Sequence, residues 1–353
     1  MDAIYDHHIA RLLEIILIIL LLLIFITAAP AFGQEQDTGE TGFEGIWGIS
    51  IQPQANWAGR MLGMDEVSDN PIKYHMTPNA FTTYEGEFWH KRSGWRLGVS
   101  AGMDDNVVGE LYDFMISAGY RGFLLRMGTG QLAGHVEWSG VVTAQTPRRW
   151  SFKGAYTNID VLWDWGLANP DQIEESAHGM YLGIGYTSLK LPVLVRWAEN
   201  RWQVKGVDIY QPDTEVKAYS LVLGQENMSP AFLYRPPGPW WWLQYQVRIG
   251  YFNDAALRQN TLDLMKELNP GMPKASREIP LFFSEFEFTL GAQYVGSRGG
   301  VIYSAGAGYS LMGSMFTGES GGFGLRQASG DPALYTGFSL WRHGPVLRVL
   351  ARW

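Results

Sequence analysis

The chain of 353 residues contains no cysteine, which excludes disulfide bonds and thiolate metal sites. Beyond residue 33 it also lacks an apolar run of the roughly 20 residues that a transmembrane helix needs. No charge of one sign dominates, since the chain has 35 acidic and 27 basic residues. The first 33 positions hold three acids and one base, which leaves a net charge of −6 on residues 34–353. This mild acidity gives no indication of nucleic-acid binding.

Motifs for metal or phosphate chemistry are missing as well. The glycine-rich stretches Gly119–Gly122 and Gly128–Gly130 are more typical of bends or turns than of a phosphate loop. The sequence has no HExxH motif, and the histidines beyond residue 33 are scattered. They are His75, His90, His135, His178 and His343. We therefore expect no cofactor and no metal.

The chain has abundant aromatic residues (14%) and 42 glycines, together with recurrent period-2 alternation. Around Trp240–Tyr251, for example, Trp241, Leu243 and Ile249 lie on one face, while Gln244 and Arg248 lie on the other. Apolar faces with aromatic residues at their ends are typical of a lipid-facing band with aromatic girdles. The pattern predicts an all-β fold, an antiparallel transmembrane β-barrel. The alternative is a soluble all-β sandwich or lectin-like protein.

The predicted strands cover the chain from Gly45 to its end, with no linker or repeat that would divide residues 34–353 into two domains. The count falls between about 12 and 15, and because single-chain bacterial barrels have even strand numbers we expect about 12–14. Some strands are predicted as separate pieces, among them Met180–Thr187 and Leu191–Trp197, Trp202–Tyr210 and Glu215–Gly224, and Ala333–Arg342 and Pro345–Trp353.

The N-terminal segment has the layout of a signal peptide over residues 1–33. Leu12–Thr27 is an apolar run interrupted by Glu14, and it is followed by small residues up to Gly33. The run is shorter than a spanning helix requires. The alternative is an uncleaved membrane anchor, and in either case the chain is predicted to be exported.

The C-terminal segment alternates up to the last residue, with Leu347, Val349 and Ala351 on the face of Trp353. A final strand that ends in Phe or Trp resembles the ending of Gram-negative outer-membrane β-barrel proteins, whose assembly machinery reads that segment. The resemblance implies a location in the bacterial outer membrane, with outer-membrane lipid and the barrel assembly machinery as partners. It also implies that Trp353 acts as the assembly signal.

Strand direction gives a further prediction. If the last strand runs towards the periplasm, Arg342–Pro345 is an extracellular turn, and the long segment Phe252–Leu281 falls in the periplasm, where turns are short. A short additional strand at Phe323–Ala328 would move that segment outside. The segment also contains one short amphipathic loop helix, capped by Asp254 and ended by Asn269. It either packs on the barrel rim or folds into the pore.

His135, Glu137 and Ser139 occur at alternate positions of one predicted strand, opposite Val136 and Trp138. A serine, a histidine and an acid are the components of an activated nucleophile. Residues two apart on a strand are nearly 7 Å apart, however, which is too far for a hydrogen-bond relay within one strand. We therefore expect a polar stripe that faces the lumen, with a barrel lipid hydrolase as the least favoured alternative.

Charged residues opposite the apolar faces are predicted to line the lumen. The set is Glu85, Glu87, Arg126, His135, Glu137, Arg248, Glu285, Glu287, Arg348 and Arg352, together with Asp160, Asp164 and Lys217. Because both signs are present, these charges either line a conduit or close it with salt bridges. The sequence therefore favours an outer-membrane, porin-like channel for small solutes. The alternative is a closed structural or interaction barrel that anchors an envelope complex.

Overall fold

The computed structural model describes residues 43–60, 72–90, 95–104, 112–138, 149–165, 180–198, 208–225, 237–253, 281–317, 333–335 and 337–352. These residues form 13 strands in a single sheet. The strands are β1 (Phe43–Arg60), β2 (Ile72–His90), β3 (Trp95–Asp104), β4 (Tyr112–Tyr120), β5 (Phe123–Trp138), β6 (Arg149–Asp164), β7 (Met180–Ala198), β8 (Asp208–Gln225), β9 (Gly238–Asn253), β10 (Leu281–Arg298), β11 (Val301–Thr317), β12 (Ala333–Tyr335) and β13 (Gly337–Arg352). No helix within the described ranges is long and apolar enough to cross a bilayer.

Twelve of these strands close into an antiparallel barrel. Strands β1 to β11 pair in sequence order, β11 pairs with β13, and β13 pairs with β1, which closes the ring. The three residues of β12 pair with the end of β7 and stand outside the ring. The fold is therefore all-β, as predicted, with a strand number at the lower end of the predicted range.

The strand register fixes the width of the barrel. Following paired residues from Gly48 in β1 through β2 to β8 leads to Phe252 in β9. Following them through β13, β11 and β10 leads to Gly238 in β9, 14 residues away from Phe252. Twelve strands with this stagger have a tilt of about 40° and a backbone radius of about 11 Å. Long side chains from different parts of such a wall can meet inside it.

The two ends of the barrel differ in their connections. The terminal end, where β1 begins and β13 ends, has two-residue turns at Arg121–Gly122 and Gly299–Gly300. All four turn residues have positive φ (46°, 95°, 61° and 82°), which matches the type I′ turns of tight hairpins. The opposite end, called the distal end below, is where β9 ends and β10 begins.

The prediction of a turn at Arg342–Pro345 is wrong, because β13 runs through these residues as one strand. This continuity places the segment between β9 and β10 at the distal end without an added strand. The proposed strand Phe323–Ala328 and the proposed loop helix from Asp254 to Asn269 lie outside the described residues. Residues 1–33 and Trp353 do so as well.

Prolines explain why other long strands were predicted as two pieces. Pro192 in β7 and Pro212 in β8 both lie within a register shift between these strands, where the ladder passes from Leu191↔Thr214 to Val193↔Gln211. Pro345 in β13 similarly faces an irregular stretch of β1. A residue without an N–H group is tolerated at such a bulge, so the strand continues through it.

The outer surface carries a continuous apolar belt. On β9, Trp241 and Tyr251 are 73% and 58% exposed, and Leu243 and Ile249 are exposed between them. Ten residues of a strand tilted by about 40° span about 25 Å along the barrel axis, the height of an outer-membrane apolar band. Near the terminal end, aromatic side chains pair on this surface. The ring centroids of Trp95 and Tyr120 are 4.7 Å apart, and those of Phe123 and Trp163 are 4.9 Å apart.

Beyond this belt, towards the distal end, the polarity of the two faces is reversed. The outward side chains of Lys153, Lys190, Glu215 and Lys217 are exposed. The inward side chains are apolar and buried, and we call them the distal apolar cluster: Leu132, Val136, Phe152, Leu189, Leu191, Val216, Phe283 and Phe316. This is the arrangement of a barrel wall in water, so the strands at this end continue past the apolar belt.

Candidate functional site in the barrel lumen

Polar side chains and the distal apolar cluster together enclose a cavity of about 380 Å³ inside the barrel. Leu132, Leu189 and Phe316 of the cluster line it towards the distal end. Rings of the cluster contact one another, with the centroids of Phe283 and Phe316 4.8 Å apart. Most other lining residues are polar or charged, although Met115, Met312 and Trp242 also line the cavity. The interior is therefore mainly polar around the cavity and apolar beyond it towards the distal end.

An ion-pair cluster lies nearest the terminal end. The Arg96 guanidinium contacts Glu87 through Nε at 2.7 Å and Asp164 through Nη1 at 3.2 Å. These residues come from β2, β3 and β6, and all are at least 96% buried. The cluster therefore connects neighbouring strands with a strand on another part of the wall.

The central cluster is the most extensive. Arg248 on β9 holds both oxygens of Asp160 on β6, with Nη2 2.7 Å from Oδ2, and its Nε lies 3.0 Å from Glu285 Oε1. Arg126 on β5 also contacts Asp160, at 3.0 Å, and its guanidinium lies over the ring of Tyr181. Charges buried in this way require such multiple partners, because each carboxylate has lost its hydration.

A glycine gives this cluster its room. A Cβ atom on Gly185 of β7 would lie 2.6 Å from Asp160 Oδ1 and 2.8 Å from Arg248 Nη1. The ion pair between β6 and β9 thus lies directly against the backbone of β7. Any larger residue at position 185 would displace one of the two charged groups.

A third charged contact joins β13 with β2. Arg348 Nη2 lies 3.2 Å from Glu85 Oε2, and its guanidinium carbon lies 5.4 Å from the ring centre of Trp242 on β9. Nearer the distal end, the Tyr156 and Asp113 side chains are hydrogen-bonded, with Arg342 close to both. These contacts bring groups from well-separated parts of the wall into the lumen.

Ten of the thirteen sequence-predicted lumen residues lie inside the barrel. Eight of these line the cavity: Glu85, Glu87, Arg126, Asp160, Arg248, Glu285, Glu287 and Arg348. The other two, Asp164 and Arg352, are buried nearer the terminal end. The sequence does not single out Arg96, Asp113 or Arg342, although their alternate positions along the strands place them inside. Arg342 escapes notice because the sequence predicts a turn at Arg342–Pro345.

The predicted lumen positions of His135, Glu137 and Lys217 are corrected by the structure. Strand β5 pairs with β6 without a register shift over its described length, so Arg126, Leu132 and Val136 point inward and His135 and Glu137 point outward. Lys217 is likewise outward and about half exposed. The prediction assumed that charges always avoid the outer face, which fails beyond the apolar belt, where that face meets water.

His135 and Glu137 contact each other on the outer surface, with Nε2 and Oε1 3.5 Å apart. Arg149 Nε lies 3.9 Å from the same Glu137 oxygen. Ser139, the third member of the constellation considered above, lies outside the described residues. The contact is that of a surface ion-pair group, and it supplies no nucleophile.

Comparison with solved structures finds similarity to bacterial outer-membrane proteins. Neither a protein-family model nor a curated protein matches the chain. Among solved structures, the outer membrane protease OmpT of Escherichia coli matches with 6% identity and a TM-score of 0.29, over 90% of this chain and 99% of its own. The toluene transporter TodX of Pseudomonas putida matches with 8% identity and a TM-score of 0.26, over 88% and 89%. A FadL homologue of Pseudomonas aeruginosa has 11% identity and a TM-score of 0.25, over 89% and 90%. These values assign neither a family nor an activity to the chain.

Proposed function

We propose that the protein is a channel of the bacterial outer membrane for small polar solutes. The observation that carries this proposal is the contrast between the two faces of the wall at one level. The outer face is an apolar belt about 25 Å high, and the inner face surrounds a cavity lined mainly by polar and charged side chains. A bilayer requires the first surface, and passage of a polar solute requires the second.

The connections support an orientation with the terminal end in the periplasm. Two-residue turns occur at that end, and short turns are typical of the periplasmic side of outer-membrane barrels. The predicted export segment at residues 1–33 and Trp353, the proposed assembly signal, support a location in the outer membrane.

Solute selection would rest on the mixed charges of the central cluster. Arg248, Arg126 and Asp160 reduce the free cross-section of the lumen and present both signs to the cavity. A solute would pass by exchanging hydrogen bonds with these groups, and its size would be limited by the side chains that meet inside a wall of about 11 Å radius.

A closed barrel that anchors or stabilises an envelope complex is the second candidate. Two features favour it: the ion pairs of the lumen are almost fully buried, and the distal apolar cluster packs across the inner face of several strands. In this case the same charges serve as internal salt bridges.

Planar-bilayer recording of the refolded chain separates the two candidates. A channel gives discrete conductance steps, and Arg248→Glu shifts its reversal potential towards cation selectivity, because one positive charge is replaced by one negative charge at the central cluster. The shift shrinks at 1 M salt, where the Debye length is about 3 Å. Lys217→Glu, which makes the same charge change on the outer surface, is the control and leaves the reversal potential unchanged. Absence of conductance from correctly folded protein overturns the channel proposal and supports the closed barrel.

A further inference from the structure

Three buried N–H donors lie on one part of the inner wall, on residues of β9, β10 and β13. They are Trp242 Nε1, Gln293 Nε2 and Arg348 Nε, and none has a hydrogen-bond partner among the described residues. Their residues are only 2%, 6% and 6% exposed. Buried donors are normally paired, because an unpaired one has lost its hydrogen bonds to water without replacement.

Strand register places these three residues together. Gln293 pairs with Gly306, and Gly306 pairs with Arg348, so the two long side chains flank one glycine. Trp242 pairs with Gly291, two residues from Gln293 on the same face, and its ring lies beside the Arg348 guanidinium. We call Trp242, Gln293 and Arg348 the donor patch.

Glycine also sets the position of the indole. A Cβ atom on Gly291 would lie 2.9 Å from Trp242 Cε3, so only glycine lets the ring lie close against β10. Trp242 and Arg348 line the cavity, which leaves space beside the patch for the body of a bound molecule.

The chemistry of the donor patch requires a ligand that accepts hydrogen bonds. Indole and guanidinium groups donate only, and the side-chain oxygen of Gln293 already accepts a hydrogen bond from Ser304. A guanidinium matches the two oxygens of a carboxylate, which it can bind in a bidentate manner. The existing partner of Arg348 is itself a carboxylate, that of Glu85.

Glu85 is also the carboxylate best placed to give way. Among the described residues it meets Arg348 through a single contact at 3.2 Å, whereas Arg248 and Arg96 each hold two carboxylates. Its side chain is 17% exposed, compared with 3% for Asp160. We propose that the donor patch binds the carboxylate group of a small organic solute, which replaces Glu85 on Arg348. The proposal rests on the proposed function for access of the solute to the lumen.

Calorimetric titration of the refolded full-length chain with propionate and with propionamide tests the proposal. The two probes have the same size and differ in charge, and propionate should bind about tenfold more tightly, since charge-assisted hydrogen bonds are the stronger ones. Trp242→Phe keeps the ring but removes its N–H group, and it should weaken propionate binding several-fold. Gln293→Glu places a carboxylate within the patch and should abolish binding. Glu85→Gln removes the competing charge and should strengthen it.

Lys217→Gln is the control, because Lys217 lies on the outer surface, where its side chain is about half exposed, and does not belong to the donor patch. It should leave propionate affinity unchanged. Folding of each variant is checked by heat-modifiable migration on gels, and if Gln293→Glu does not fold, Trp242→Phe and Glu85→Gln decide the question. Equal affinity for the two probes, unchanged affinity in Trp242→Phe, or equally effective competition by chloride would each overturn the proposal. Conductance without discrimination between the two probes would refute the donor-patch proposal and leave the channel proposal intact. Selective propionate binding without conductance would refute the channel proposal and support the donor patch.

Discussion

Truncation of Arg248 to alanine should destabilise the barrel strongly. The side chain is 2% exposed and contacts two carboxylates, those of Asp160 and Glu285. Its removal leaves Glu285 with a hydroxyl partner, Ser314, and leaves Asp160 with Arg126. Removal of one member of a buried ion pair costs about 3–5 kcal/mol, because the remaining charge is uncompensated.

The assay is urea-induced unfolding of the refolded protein in lipid vesicles, followed by tryptophan fluorescence. Arg121→Ala is the matched control: Arg121 is exposed at the terminal-end turn, where its guanidinium contacts the Tyr120 ring. Such a surface change should fall within about 0.5 kcal/mol of the native chain.

One additional substitution identifies the cause. In the Arg248→Ala background, Glu285→Gln removes the carboxylate that has lost its cationic partner, and it should restore part of the lost stability. Asp160 is kept, because it still pairs with Arg126. A loss below about 1 kcal/mol for Arg248→Ala alone would refute the reasoning, since it is the size expected of a hydrated, exposed ion pair. The central cluster would then be open to water.

Three further predictions concern other parts of the wall. Gly185→Ala should destabilise the protein by about 1–3 kcal/mol through overpacking against Asp160 and Arg248. Gly128→Ala should be tolerated, because its Cβ atom would lie an ordinary 3.7 Å from the carbonyl oxygen of Phe114, and equal urea midpoints for the two variants would contradict this. Leu221 is 64% exposed on the apolar belt, and Leu221→Arg should lower the stability of the barrel in vesicles by about 2–4 kcal/mol. Lys217→Arg, beyond the belt, is the control and should be neutral. A neutral Leu221→Arg would argue against a lipid contact at this position. Trp353→Asp should reduce the folded fraction in membranes more than Trp57→Asp, and equal effects would mean that the last strand has no special role in assembly.

The alternation of side chains made most of the fold predictable from the sequence. Strands such as Trp95–Asp104 and Gly238–Asn253 could be located closely, because their apolar faces are regular and most residues of the other face are glycine or polar. Strands that contain Pro192, Pro212 or Pro345 were divided, because a bulge that absorbs a proline is visible only in the register between two strands.

Charge placement could be predicted only where the outer face meets an apolar surface. Within the belt, alternation along the strands, together with the rule that charges avoid the apolar face, predicts Arg248, Glu285 and Arg348 inside the barrel, where the structure has them. It failed for His135, Glu137 and Lys217, because the sequence does not indicate where the belt ends. The donor patch was not predictable either, since it depends on the lateral alignment of β9, β10 and β13.

The most direct test of a lipid-facing barrel with a polar interior is a nitroxide scan along residues 216–223 of β8. The absence of native cysteine allows each label to be introduced singly. In vesicles, labels at the outward positions 219, 221 and 223 should be accessible to oxygen, which concentrates in lipid, and protected from a water-soluble nickel reagent. Labels at 218, 220 and 222 should have low oxygen accessibility, so that the signal alternates with a period of two. Accessibility that does not alternate, or exposure of positions 221 and 223 to the nickel reagent, would contradict a barrel that crosses the membrane at this level.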